Sequence, residues 1–245
     1  ITLETLEAQG PQDIAPQQIV TSIRALRELA PDTRLLHLQT PRSHRLRFLA
    51  GQQVTLGCAG SAATAGDDVR ATFPVASCPC DDRNLHFFVP RDHDSALARL
   101  VFDGSVQAGQ SINLWGPVGE FVLADSLRPL VFAACDTGFA PIKSLIEHAL
   151  SLDTAPSLSL FWLATRSDGH FQANQCRAWS AALDAFEYTP FHDSRAGDGA
   201  HLDRRVADDV DRPRAAADEL VDRALGDDLA EVDDRREVAR LLDLV

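Results

Sequence analysis

Between Phe132 and Leu150 the sequence reads FAACDTGFAPIKSLIEHAL. An apolar run, a short turn and a helical pattern follow one another. Such a unit points backbone N–H groups and the positive end of a helix at whatever lies in the turn, which suits a phosphate. Gly138 is the single glycine of the turn, Thr137 is the expected helix cap, and Pro141 sits where helices accept proline, in their first turn. Asp136 does not fit, because its carboxylate brings bulk and like charge to the place of the phosphate. Elsewhere reactive residues are sparse. Cys58, Cys78, Cys80, Cys135 and Cys176 are scattered and odd in number, which suggests reduced thiols rather than a disulfide framework. Cys78 and Cys80 form a C-x-C pair with no second pair or histidine cluster nearby, so no metal site is expected. His37 and His86 alternate with apolar residues and read as satisfied or surface histidines, and no proton-transfer dyad or nucleophile stands out.

The chain that must position these residues has 245 of them, 45% hydrophobic and 24% charged, as in globular proteins with a sizeable core. A net charge of −13 argues against nucleic acid or an anionic membrane as the main partner, and it would not repel a basic protein. No apolar run reaches the ~20 residues of a membrane span, and Ile1 to Gly10 lacks the order of a secretory signal. A cytoplasmic protein is expected. The chain begins with isoleucine and contains no methionine, so a piece of something longer is expected.

From Gln18 to about Leu123, QQIVTSIRAL, TRLLHLQT, AGQQVTLGC, TFPVAS, LHFFV and INLWGPVGEFVL are six candidate strands separated by turn signals. Their spacing predicts an antiparallel barrel or sandwich. SALARLVFDG has helical character and stops at Gly104. After Arg128 the pattern changes. RPLVFAAC reads as a strand covered on both faces, and Ile142, Leu145, Ile146, Ala149 and Leu150 share one face of the helix that follows. SLSLFWLAT, NQCRAWSAALDAF and FEYTP continue the β-α-β-α-β run, predicting a parallel sheet, with Trp162 and Trp179 in its core. Four segments result: a linker over 1–16, a barrel over 17–124, an α/β domain over 125–191 and an acidic tail over 192–245. The tail holds 13 Asp, 3 Glu and 9 Arg, a net −7, without an aromatic residue. Leu220, Leu225, Leu229 and Val232 are its candidate helical face. Arg outnumbers Lys 22 to 1, the bias of a GC-rich gene, and a shifted reading frame in such a gene would give a tail of this composition.

A barrel, then GPVGEF (Gly116–Phe121), then a strand, TGFAP and a helix, resembles the ferredoxin–NADP reductase superfamily. The resemblance runs over roughly Asp13 to Pro190 and is nearest to reductases that join a [2Fe–2S] ferredoxin domain to an FAD and NAD(P)H module. It implies a barrel of the FAD-binding type followed by an α/β domain of the NAD(P)-binding type. It implies hydride transfer from NAD(P)H to FAD, and single electrons passed to an iron–sulfur centre or partner protein. A [2Fe–2S] cluster is implied only for an upstream domain, which would also account for the linker.

The family's flavin strand carries Arg-x-Tyr-Ser. Here FPVAS sets Phe73 at the tyrosine and Pro74 at the serine, followed by Val75 and Ser77, while Arg70 falls one residue early, with Ala71 at the arginine position. Phe73 keeps the ring needed to stack on a flavin, and Pro74 has no hydrogen to donate. A one-residue slip along a strand turns Arg70 to the opposite face unless a bulge restores it. In the second flavin segment, DHDSALAR, Ala98 takes the usual serine position, Ser95 is the nearest hydroxyl, and Asp92 and Asp94 would repel phosphate. The nucleotide turn, Gly-Gly-Thr-Gly-x-Ala-Pro in the family, becomes Cys135-Asp136-Thr137-Gly138-Phe139-Ala140-Pro141. The family's late Cys-Gly-Pro-Pro turn has no counterpart. Arg166, after the second strand of the α/β domain, suits either a 2′-phosphate or a solvated loop. Three readings stay open: an active reductase module, an idle module of the same fold that serves interaction, and the truncated or frame-shifted product of an active gene.

Overall fold

A computed structural model describes residues 10, 13–58, 68–123, 128–153 and 155–192. The expectations for the linker lie mostly outside these residues, and those for the tail after His192 lie wholly outside. Two compact units emerge among the described residues: one holds 13–123 together with Lys143–Asp153, the other 128–142 and 155–192.

In the first unit, β1 (Gln17–Ala30), β2 (Thr33–Gln39), β3 (Gln53–Cys58), β4 (Val69–Pro74), β5 (Asn84–Pro90) and β6 (Ser111–Val118) form a curled antiparallel sheet, in the order β4-β3-β6-β1-β2-β5. Alternation decides what each strand buries. Ile19, Thr21 and Ile23 of β1 face inward between exposed neighbours, and the buried Thr21 satisfies its hydroxyl on the Ile112 carbonyl at 2.9 Å. Leu36, Leu38, Val54, Leu56, Leu85, Phe87 and Leu114 complete the interior. The seven-residue α1 (Ala96–Phe102) adds Leu97, Leu100 and Val101 to the same core. β4 runs over Val69–Pro74, earlier than the predicted 72–77, because Pro74 has no N–H with which to continue the ladder. Beyond it the Ala76 N–H donates to the His86 carbonyl at 2.8 Å, so the departing chain joins the two edge strands. That link shelters edges that would otherwise present unpaired backbone. β6 ends at Val118, five residues short of its predicted end at Leu123.

In the second unit, β7 (Leu130–Cys135), β8 (Leu158–Ala164) and β9 (Phe186–His192) lie parallel in the order β7-β8-β9. α2 (Phe139–Leu152) connects the first pair and α3 (Ala173–Ala182) the second. Trp162 is fully buried, and Phe139 stacks on it with ring centroids 4.0 Å apart. Trp179 is half-buried rather than core, edge-on to Phe186. Thr137 does not cap α2: Asp136–Gly138 forms a 3-10 turn that runs straight into the helix, and no side chain caps the turn. The tighter turn places carbonyls where a cap would stand, so the Phe139 N–H bonds back to Asp136 and Thr137.

Candidate functional site

Side chains alternate along β4, and this separates the residues expected to meet a flavin. Phe73 points into the barrel and is 8% exposed. Arg70 points outward, its guanidinium 4.3 Å from the centre of the Trp115 ring. Gly57 makes the space: a Cβ there would lie 2.7 Å from Trp115 and 3.1 Å from the Arg70 chain. No bulge returns Arg70 to the Phe73 face, since β3 and β4 pair without a register shift. Pro74 closes the strand opposite Gln53, and Val75, wholly buried, gives its N–H to the Gln52 carbonyl. Ser77 is buried with its hydroxyl accepting from the His86 N–H at 3.2 Å. Ser95 caps α1 by accepting from the Ala98 N–H at 3.3 Å. As they stand these residues fit a flavin only through Arg70, because the ring and hydroxyls that should join it are turned inward or already bonded.

A second set of residues, not singled out in the sequence, holds the chain that leaves β4. The Lys143 side chain is 7% exposed, and its ammonium donates to the Ala76 carbonyl at 3.1 Å and to Glu147 at 2.6 Å. Ser144 donates to the Ser77 carbonyl at 2.7 Å, and Glu147 accepts the Cys78 N–H at 3.2 Å. Burial, followed by the Lys143 charge, pushes His86 down to about 4. His86 meets His37 edge-on at 4.8 Å, and His37 contacts the Asn84 amide oxygen at 3.1 Å, so His37 is a satisfied histidine as expected. The only advance sign of this clamp was a Lys-x-x-x-Glu spacing, which on a helix normally marks a solvated pair. Cys78 and Cys80 also depart from expectation. They are joined as a disulfide rather than free, because the 3-10 turn Pro79–Asp81 folds back and brings their Cα atoms within 5.1 Å.

At the carboxyl ends of β7 and β8 lies the turn expected to meet a nucleotide. Thr137 and Gly138 lie in the 3-10 turn, and Ala140 and Pro141 are buried in the first turn of α2. Asp136 takes φ 43, a left-handed conformation that favours glycine. Its carboxylate accepts the Thr165 N–H at 3.0 Å and the Thr165 hydroxyl, and its carbonyl accepts the Trp162 indole N–H at 3.1 Å. Burial, then Asp136, pushes the neighbouring Cys135 thiol up to about 12. The residues present therefore do not fit a dinucleotide phosphate, since a carboxylate stands in the turn and already holds the two Thr165 donors. Among the described residues no group of His, Cys, Asp and Glu is arranged for a metal, and no helix is long and apolar enough to cross a membrane.

A curled antiparallel sheet followed by a parallel β–turn–α unit matches known structures. The Neisseria gonorrhoeae ferredoxin NADP+ reductase, solved with bound FAD and NADP, superposes with a TM-score of 0.62 at 21% identity, over 85% of this chain and 79% of that one. The chain carries the fold of the ferredoxin–NADP reductase superfamily. Within this reductase fold, sequence similarity extends to electron-transfer components. The chain is 27% identical over 168 residues to the toluate 1,2-dioxygenase electron transfer component of Pseudomonas putida, covering 69% of this chain and 48% of that protein. It is 24% identical over 162 residues to the CDP-6-deoxy-L-threo-D-glycero-4-hexulose-3-dehydrase reductase of Yersinia pestis, covering 66% and 46%. The chain thus spans about half the length of the curated relatives it matches. No family model matches it.

Proposed function

We propose that this chain is the flavin and nicotinamide module of a cytoplasmic reductase, passing electrons from NAD(P)H through FAD to an iron–sulfur centre or a partner protein. The observation that carries the reading is the order of elements, a curled antiparallel sheet and then a parallel sheet with Thr137-Gly138-Phe139-Ala140-Pro141 after its first strand. Similarity to reductase components over the same stretch supports it. In this reading 17–124 serves the flavin and 125–191 the nucleotide. Arg70 offers charge to the flavin pyrophosphate, with Phe73, Pro74, Val75, Ser77 and Ser95 lining the same segments. Thr137, Gly138, Ala140 and Pro141 shape the nucleotide turn.

An idle module of the same fold is the second reading, favoured by the inward Phe73 and by the bonded carboxylate of Asp136. Visible absorbance of the purified chain, as isolated and through an FAD titration, separates the two. The reductase reading expects stoichiometric flavin that NADH or NADPH bleaches. A folded chain that takes up no FAD overturns it.

A further inference from the structure

Open α/β sheets receive ligands outside the carboxyl ends of their strands, and helix N-termini there receive anions. In this chain that mouth already contains an anion. Asp136 follows β7 and Thr165 follows β8, two neighbouring parallel strands, and the carboxylate bridges them with both oxygens bonded. The fit is built from three directions. The Asp136 backbone keeps a glycine-like φ of 43, which turns the side chain over the strand ends. Trp162 fixes the same residue by its carbonyl. Gly169 leaves room beside it, for a Cβ at that position would lie 2.6 Å from the Asp136 carboxylate and 2.7 Å from Ala164.

We propose that Asp136 is an internal stand-in for a phosphate, closing the mouth of the parallel sheet with Thr165 and Gly169 so that nicotinamide dinucleotides bind weakly until the carboxylate is displaced. The proposal rests on the reductase reading for the identity of the ligand. Charge and occupancy act together. An incoming pyrophosphate meets a like charge at contact distance and finds the donors of Thr165 already used. Glycine is the informative replacement, because it holds φ 43 without strain, whereas alanine would not.

The test is equilibrium binding of NADPH and of NADH to the whole chain, carrying Asp136, Asp136→Gly or Asp136→Asn, with thermal unfolding as the check on folding. Asp136→Gly is expected to tighten binding at least about tenfold. Asp136→Asn, which removes the charge and keeps the bulk, is expected to give a smaller gain. Thr165→Val takes the hydroxyl from the carboxylate, leaves the backbone N–H of residue 165 on it, and serves if the glycine variant does not fold. It is expected to tighten binding by less than Asp136→Gly, since the carboxylate loses its hydroxyl partner and is displaced more easily while its charge stays. Unchanged affinity across the variants, or wild-type binding as tight as that of Asp136→Gly, overturns the proposal. Flavin content, read separately by absorbance, keeps the two readings apart. Flavin bound with no gain in nucleotide affinity defeats the role of Asp136 alone, whereas a gain without flavin defeats the reductase reading and leaves Asp136 in place.

Discussion

Burial and the Lys143 ammonium hold His86 at about 4 against an ordinary 6.5, so the folded chain keeps it neutral where an unfolded chain would protonate it. Between those two values the unfolded state binds more protons, and stability therefore falls as pH drops from about 6.5 towards 4. For a residue that is not fully buried, we expect a share of about 1–2 kcal/mol, reduced for solvent screening. Urea midpoints at neutral pH and at the acid end of that window should show His86→Gln losing less stability on acidification than the wild type. Cys135, pushed up to about 12 by burial and by Asp136, is expected to stay unreactive to Ellman's reagent at mildly alkaline pH until the chain is denatured. Half-buried Cys58 should react first, though slowly, because burial and Asp68 raise its thiol as well. At this scale the sequence was readable where a residue's chemistry is fixed by its own atoms. Pro74 lacks a backbone N–H in any fold, and Asp136 brings a carboxyl group to any turn. It was unreadable where a role depends on a distant partner: nothing near Asp136 announced Thr165, and nothing in Lys143 announced the Ala76 carbonyl.

α2 shows what periodicity reveals and what it hides. Ile142, Leu145, Ile146 and Ala149 are buried as their spacing predicted and Leu150 is half-buried, but Lys143 and Ser144 are buried too, because they bond to the chain leaving β4. Removing the ammonium takes the charged partner from Glu147 in a half-buried site. We expect Lys143→Met to cost about 3 kcal/mol, and adding Glu147→Gln to recover part of it. A double-mutant cycle by urea unfolding measures this, and additive losses would mean that the pair is not coupled. In the parallel sheet, Trp162→Ala removes a fully buried ring stacked on Phe139 and should cost about 3–5 kcal/mol in the same assay. Among the described residues strand and helix types were legible, since alternation and helical spacing are local properties. Boundaries moved where backbone chemistry intervened, as at Pro74 in β4 and in the 3-10 turn that replaced a Thr137 cap.

Across the whole molecule, a net charge of −13 bears on how an electron-accepting protein would approach. Added salt should speed electron delivery to an acidic acceptor and slow it to a basic one, as stopped-flow traces at low and high ionic strength would record. An opposite trend would mean that a local patch outweighs the overall charge. The order of a barrel and then a parallel sheet was visible in the sequence because each part keeps its own hydrophobic pattern, period two and then continuous runs. The split between Arg70 and Phe73 was foreshadowed by the one-residue slip, and only the paired register of β3 and β4 excludes a bulge. The left-handed turn at Asp136 has a further consequence, in heredity rather than mechanics. Aspartate and glycine codons differ by a single central base. A backbone already shaped for glycine therefore lies one point mutation from a turn that carries no carboxylate.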